Sequence, residues 1–232
     1  MTAAAALARR REPLGLVIFD CDGVLVDSET VANTALARVL TRIGWPMTAA
    51  ETEARFIGLT LEAMVPIIEA QLNRALPSDW VADMTAMLVD TLGRDSTAIA
   101  GAIETLHALS AMGVKWRVAS NSSHEEMTAK FACLGVSSLV AGRVHSYQDV
   151  AQGKPAPDLF LATAAAEGIA PAACIVIEDS VVGARAAAAA AMDCLGYAPH
   201  GDGAALRATG AGLFRSMFDL PGLIAGAPRA VS

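Results

Sequence analysis

The sequence predicts an α/β fold in which a doubly wound parallel sheet carries an inserted helical domain. Short apolar runs that suit buried strands alternate with segments of helical periodicity along most of the chain, as is typical of parallel sheets covered by helices on both faces. Residues 30–96 interrupt this alternation, because they show helical spacing and no strand-like run. Polar residues directly follow several strand-like runs, at the strand end where ligands bind in such sheets.

The composition limits the classes of protein to consider. A length of 232 residues allows one domain with a sizeable insert, and an apolar content of 54% indicates a well-buried globular chain. No apolar run reaches the roughly 20 residues that a membrane span needs, so we expect no membrane association. The net charge of −7 disfavours nucleic-acid binding. The four cysteines lack Cys-x-x-Cys spacing, which argues against a zinc site or disulfides and favours the cytoplasm.

Residues 1–13 place arginines after a short apolar stretch, the reverse of a secretory signal, so we expect a disordered tail there.

The first strand ends in an unusual pair of acidic residues. The apolar run from Leu16 to Phe19 follows, and it stops at Asp20 and Asp22. Two carboxylates two residues apart on an extended chain lie on the same side and repel each other. This strand end therefore needs a positive charge nearby.

The helical insert follows the first strand. We predict that residues 30–96 form it, and that residues 14–29 and 97–232 form the core. Two apolar runs in the insert have the spacing i, i+3, i+4, i+7 of one helix face: Leu36, Val39, Leu40 and Ile43, and then Leu61, Met64, Val65 and Ile68. The predicted hinges are the segments VDSET at 26–30 and GRDSTAIAG at 93–101.

Four further segments are predicted strands of the core: VKWRVAS, LVAGRVHS, CIVIED and CLGY. Ser120 and Asn121 follow the first of them, Glu178 and Asp179 end the third, and Lys154 lies in GKPAPD before a helix. Since the carboxyl ends of parallel strands share one edge of a sheet, these residues should converge with Asp20 and Asp22.

The converging groups suit one kind of chemistry. Several carboxylates, one lysine, one hydroxyl and loop amides fit a divalent cation bound by oxygen, most naturally Mg²⁺, with a phosphate beside it. The cation would reconcile Asp20 with Asp22, and Lys154 would add positive charge. Gly23 lets the backbone turn tightly and approach a bound anion.

Four segments in order, FDCDGVLVDSE, VASNSS, GKPAPD and VIEDSVVG, resemble the motifs of the haloacid dehalogenase superfamily. More narrowly, they resemble its sugar-phosphatase and β-phosphoglucomutase-like branch, which combines a Rossmann-like core with a mobile helical cap. The resemblance runs from about Leu16 to Tyr197, and the insert matches that cap in position and size. One Asp-x-Asp-Gly segment is a weak signal, whereas four motifs in this order are a strong one.

The resemblance implies a phosphatase that forms an aspartyl-phosphate. Asp20 would be the nucleophile, and Asp22 would protonate the leaving oxygen and later activate water. The resemblance also implies that Mg²⁺ is bound by Asp20, the backbone carbonyl of Asp22 and Asp179, with Glu178 alongside or acting through water.

The remaining motif residues would bind the phosphoryl group. By the same resemblance, Ser120 and the amide of Asn121 would contact its oxygens, and Lys154 would offset developing charge. Arg55 in the insert is a further candidate substrate contact, with an ordinary surface arginine as the alternative. We expect the substrate to be a small phosphorylated metabolite, namely a sugar, polyol or sugar-acid phosphate, and the protein to be a monomer.

Departures from the family pattern separate hydrolysis from phosphomutase activity. β-Phosphoglucomutases carry a histidine where this chain has Ala32, and a basic pair where it has Ile57 and Leu61. A mutase must retain a bisphosphate intermediate, and this cap lacks those groups. Hydrolysis is therefore favoured, with a phosphomutase or a non-catalytic phosphate-binding relative as the alternatives.

Overall fold

A six-stranded parallel sheet lies at the centre of the computed structural model, which describes residues 1–56, 59 and 61–228. The strands are β1 (Leu16–Phe19), β2 (Val26–Asp27), β3 (Thr97–Ala98), β4 (Trp116–Ser120), β5 (Val144–Ser146), β6 (Cys174–Glu178), β7 (Asp193–Tyr197) and β8 (Gly212–Phe214). The order in the sheet is β5-β4-β1-β6-β7-β8, while β2 and β3 form a separate antiparallel ribbon. The predicted α/β class is confirmed. Because β1 lies between β4 and β6, its carboxyl end is at the point where the strand order reverses.

The helices cover both faces of the sheet and fill the insert. They are α1 (Ala3–Leu7), α2 (Ser28–Arg42), α3 (Ala49–Phe56), α4 (Leu61–Leu72), α5 (Trp80–Asp95), α6 (Ala102–Ala111), α7 (His124–Cys133), α8 (Ser137–Val140), α9 (Asp158–Ala165), α10 (Val181–Ala189), α11 (Ala204–Ala208) and α12 (Leu220–Ala225). Within the described ranges, no helix combines the length and apolarity needed to cross a bilayer.

The central strand β1 is apolar throughout because it is buried on both faces. Val17 and Phe19 pack into the layer of α6 and α7, whereas Leu16 and Ile18 pack into the layer of α9 and α10. Pairing of Val17 with residues of both neighbouring strands fixes the register of the sheet. The first residue after β1 is therefore held in a defined position above the sheet edge.

One predicted strand is shorter in the structure, and three short strands were not predicted. The predicted strand at 139–146 begins only at Val144, because Leu139 and Val140 belong to α8 and Gly142 turns the chain with a φ of +71°. Strand β8 and the β2–β3 ribbon were not predicted. Each has only two or three residues, too few to show a period of two.

The insert contains its own apolar core. Both runs with the predicted helical spacing lie in helices, except that Ile43 is the C-cap residue after α2, and their buried residues join Phe56, Trp80 and Met84 in one cluster. The predicted hinges coincide with the β2–β3 ribbon, where Val26 pairs with Ala98. Gly93 lets α5 approach α7 of the core, since a Cβ atom there would lie 3.1 Å from the Cβ of Ala129.

The expectation of a disordered N-terminal tail is wrong. Residues Ala3–Leu7 form α1, whose first turn is capped by the side chain of Thr2. Ala3 and Leu7 are buried against the core. Gly212 explains the close packing, because a Cβ atom there would lie 2.6 Å from the Cβ of Ala6. Downstream, Arg10 forms an ion pair with Asp193.

We predict that Leu7→Ala lowers the free energy of unfolding by about 2–3 kcal/mol, since it empties a buried leucine site. Urea denaturation of both proteins measures this. Leu161→Ala is the control, because Leu161 is 38% exposed and should lose less than about 1 kcal/mol. Equal losses in the two variants would show that α1 does not pack on the core in solution.

Candidate active site

The loop after β1 brings Asp20 to the edge of the sheet. Its backbone amide donates to the carbonyl of Ile177 on β6, and its Oδ1 accepts from the amide of Cys21 at 2.7 Å. Gly23 has a φ of +73°, and a Cβ atom there would lie 1.9 Å from Oδ2 of Asp179. The glycine therefore permits both a tight turn and close contact between this loop and the end of β6.

Lys154 is the positive charge that the first strand required. Its side chain is buried, and its Nζ lies 2.8 Å from Oδ1 of Asp20 and 2.7 Å from Oε1 of Glu178. Burial opposes the ammonium, but the two carboxylates outweigh it and raise the pKa of Lys154 above its ordinary value. Lys154 therefore stays charged at neutral pH and binds two acidic side chains together.

The side chain of Asn121 positions the loop that carries Lys154. Its Nδ2 donates to the carbonyl of Lys154 at 3.0 Å, and its Oδ1 accepts from the amide of Lys154 at 2.9 Å. The predicted role of Asn121 used its amide on a phosphoryl oxygen. The structure adds a second role, in which the asparagine side chain fixes the backbone of the lysine.

Glu178 is fully buried at the end of β6. One carboxylate oxygen binds Lys154, and the other accepts from the amide and the hydroxyl of Ser180 at 3.0 and 2.8 Å. Gly183 makes room for it, because a Cβ atom there would lie 1.6 Å from the carboxylate. Glu178 therefore orients Lys154 as well as standing next to Asp179.

Asp179 leaves a buried oxygen without a partner. Its Oδ1 is inaccessible and forms no hydrogen bond in the structure as described. Burial raises its pKa to about 7, and the charges of Glu178 and Glu29 add to the shift. Burial also raises the pKa of Asp20 well above its ordinary value, although Lys154 opposes this. A bound cation would give the Oδ1 of Asp179 a partner, and it would favour the ionised forms of Asp179 and Asp20.

The acidic residues fit a divalent metal ion. One oxygen each from Asp20, Glu178 and Asp179 lie within 4.8 Å of one another. Oxygen ligands of this kind suit a hard cation. The carboxylate of Asp22 is not part of this cluster, so the prediction that Asp22 binds metal can rest only on its backbone carbonyl.

The Asp22 carboxylate is instead surrounded by donors. Oδ1 accepts from Ser28 and from Nζ of Lys130, the latter at 2.7 Å. Oδ2 accepts from Ser122 at 2.7 Å and from Ser120 at 3.3 Å. Burial works against the anion, but Lys130 and the hydroxyls of Ser28 and Ser122 lower the pKa of Asp22. The side chain is therefore ionised and oriented at neutral pH.

Sequence reasoning missed Lys130, Ser28 and Ser122. A signal for Lys130 was available, because it occupies position i+3 of the apolar face that Met127, Phe131 and Leu134 form at i, i+4 and i+7. A lysine in that position is rarely buried unless it is paired. Lys130 is 2% exposed.

Arg55 is not brought to the site. It is exposed on α3 and lines grooves of the insert with Trp45, Pro66 and Ile67. Ile57, which bears on the mutase alternative, lies outside the described residues. A cavity of about 570 Å³ opens beside Asp179 and Gly23, with Glu29, Glu53, Tyr197 and His200 among its other lining residues, whereas Asp20 and Lys154 do not line it. That volume accommodates a small phosphorylated metabolite.

Comparisons with known proteins agree with this chemistry. A family model described as "Hydrolase: haloacid dehalogenase-like hydrolase" matches residues 14–191. The chain is 28% identical over 187 residues to the 6-phosphogluconate phosphatase of Escherichia coli (strain K12), covering 79% of this chain and 83% of that protein. It is 30% identical over 176 residues to Hexitol phosphatase A of the same strain, covering 75% and 78%.

One relative is much longer than this chain, and one solved structure is similar over nearly its whole length. The chain is 29% identical over 189 residues to Protein SUPPRESSOR OF QUENCHING 1, chloroplastic, of Arabidopsis thaliana, where 77% of this chain spans 17% of that protein. The crystal structure of a HAD family hydrolase from Deinococcus radiodurans R1, with bound phosphate and sodium, is 32% identical. It has a TM-score of 0.78 over 91% of this chain and 97% of that chain.

We predict that Asp179→Asn stabilises the metal-free protein. The pKa of Asp179 rises from 3.8 to about 7 on folding. The folded state therefore binds the proton more tightly, and its stability falls as pH rises from about 4 to about 7. At pH 8 in chelator the variant should melt higher than the wild type by roughly 2–4 °C or more, and the difference should shrink towards pH 4.

Magnesium should reverse the order of the melting temperatures of the wild type and Asp179→Asn. Adding MgCl₂ should raise the melting temperature of the wild type and leave Asp179→Asn unchanged, because the variant lacks a ligand. Asp83→Asn, an exposed change on α5, is the matched control and should behave as the wild type in both measurements. A magnesium shift of equal size in Asp179→Asn would contradict the assignment of this residue as a metal ligand.

Proposed function

The chain belongs to the haloacid dehalogenase-like hydrolase family, and we propose that it is a Mg²⁺-dependent phosphatase that works through an aspartyl-phosphate on Asp20. Several named relatives are phosphatases. The observation that carries the proposal is the buried contact of Lys154 with Asp20 and Glu178, beside the orphaned oxygen of Asp179. This arrangement fixes a nucleophile and leaves negative charge for a cation to neutralise.

The proposed reaction begins with attack by Asp20 on phosphorus. Lys154 and the amide of Cys21 both bind Oδ1, which orients the carboxylate and leaves Oδ2 for the attack. The phosphate dianion, bound beside Asp22, favours uptake of a proton from solvent by that carboxylate. Asp22 then gives this proton to the leaving oxygen as the bond between that oxygen and phosphorus breaks. Asp22 then takes a proton from water, which hydrolyses the aspartyl-phosphate and releases inorganic phosphate.

Other residues of the site bind and neutralise the phosphoryl group. Asp20, Asp179 and the backbone carbonyl of Asp22 would hold Mg²⁺, with Glu178 alongside or acting through water, and the ion would offset phosphoryl charge. Ser120, buried at the end of β4, would exchange its contact with Asp22 for a phosphoryl oxygen. Gly23 and the amide of Asn121 would complete the phosphate contacts.

We propose a sugar, polyol or sugar-acid phosphate as the substrate class. The names of the two phosphatase relatives from Escherichia coli support this choice, as does the size of the cavity. A phosphomutase remains the second candidate, and Ala32 and Leu61 at the positions of the mutase residues weigh against it. A cytoplasmic monomer is part of the proposal, and the four free cysteines are consistent with a reducing compartment.

We expect inorganic phosphate release from a panel of hexose, hexitol and sugar-acid phosphates in the presence of MgCl₂. Exhaustive chelation should reduce the rate to background, and Ca²⁺ should restore little of it, because the larger ion accepts looser geometry and more ligands. Asp20→Asn should be inactive with every substrate. Efficient conversion of β-glucose 1-phosphate to glucose 6-phosphate, or full activity after chelation, would contradict the proposal.

A further inference from the structure

Lys130 is a buried cation to which the proposed reaction assigns no role. It lies on α7, with its side chain 2% exposed, among core residues that include Met127 and Phe131. Its Nζ donates to Oδ1 of Asp22 at 2.7 Å and to the hydroxyl of Ser122 at 2.9 Å. A buried ammonium requires partners of this kind, because it has lost its hydration.

Stability alone does not explain a lysine at this position. An apolar side chain of similar length would fill the same space in the apolar face of α7 without the desolvation of two charges. Replacing buried ion pairs by apolar residues of similar volume is often neutral or stabilising. We therefore look for the reason for the Lys130–Asp22 ion pair in the proposed catalytic role of Asp22.

The side chains that donate hydrogen bonds to Asp22 differ in where they lie and in what else they bind. Ser28 is the first residue of α2, in the segment that leads into the insert. Ser120 is the proposed phosphoryl contact, so phosphate binding would draw its hydroxyl away from Oδ2. Lys130 and Ser122 have no such competing role, and they bind each other as well as the carboxylate. These two anchors remain when substrate arrives.

We propose that Lys130 is a positioning residue for phosphoryl transfer. Resting on the proposed function, this inference assigns to Lys130 the task of fixing the Asp22 carboxylate through Oδ1. Ser122 supports the arrangement from Oδ2, and the release of Ser120 from Oδ2 leaves that oxygen able to exchange a proton with the leaving group. Lys130 itself touches neither substrate nor metal.

The test is Lys130→Met, which keeps the length of the side chain and removes the ammonium. For a hexitol phosphate, whose leaving oxygen needs a proton, we expect kcat/KM to fall about 10- to 100-fold, within the range of a general acid–base contribution. For p-nitrophenyl phosphate, whose leaving group needs little protonation, kcat/KM should fall less than about 3-fold. The value of kcat/KM depends only on the steps up to departure of the leaving group. Slower hydrolysis of the aspartyl-phosphate therefore does not affect the comparison between the two substrates.

A double-mutant cycle separates positioning from general structural damage. In an Asp22→Asn background, adding Lys130→Met should change kcat/KM for the hexitol phosphate less than about 2-fold, because no acid–base group remains to be positioned. Lys115→Met is the matched control. That exposed lysine pairs with Glu167 at 3.2 Å, and its replacement should leave both substrates unaffected.

Ser122→Ala provides a second test if Lys130→Met does not fold. It removes the other anchor with little change in volume, and it should show a smaller loss confined to the hexitol phosphate. Equal losses with both substrates, an undiminished effect in the Asp22→Asn background, or full activity of Lys130→Met would each overturn the inference. A wild-type protein that hydrolyses neither substrate would instead overturn the proposed function, and this inference with it.

Discussion

The buried ammonium of Lys154 is the interaction on which the site depends. Asp20 and Glu178 come from adjacent strands and are both buried, so without a cation between them their charges would oppose the close packing of β1 and β6. Asn121 fixes the backbone of the lysine, and Gly183 leaves space for Glu178. Removing one partner of such a group leaves a buried charge uncompensated. A second buried lysine, Lys130, forms an ion pair with Asp22, as Lys154 does with Asp20.

Much of the core could be predicted because buried parallel strands are continuous apolar runs. Residues Leu16–Phe19 and residues 174–177 are of this kind, and the two strands pair in the sheet. Short elements were missed, because β8 and the β2–β3 ribbon depend on tertiary pairing more than on local pattern. Helix α1 was missed for a related reason. Its stability depends on packing against Gly212, which lies about 200 residues away in the chain.

The site could be predicted as a set of residue types, but not as a set of partners. Asp20, Lys154, Glu178 and Asp179 converge as expected, since the ends of parallel strands share one edge. The contacts of Asp22 could not be inferred. The motifs that contain Ser28 and Ser122 do not show that these hydroxyls face Asp22, and the pattern around Lys130 indicates a buried lysine without identifying its partner. The position of Arg55 depends on how α3 packs within the insert, and a single residue gives no sign of this.

The most direct test of the account is to trap phosphate on Asp20. Asp22→Asn retains the nucleophile but activates water poorly, so the aspartyl-phosphate should accumulate with p-nitrophenyl phosphate. After rapid acid quench, peptide mass spectrometry should find an added phosphate on the peptide that contains residue 20. The same treatment of Asp20→Asn should give no phosphopeptide. Phosphate on a different residue, or an unmodified peptide in Asp22→Asn during active turnover, would contradict covalent catalysis by Asp20.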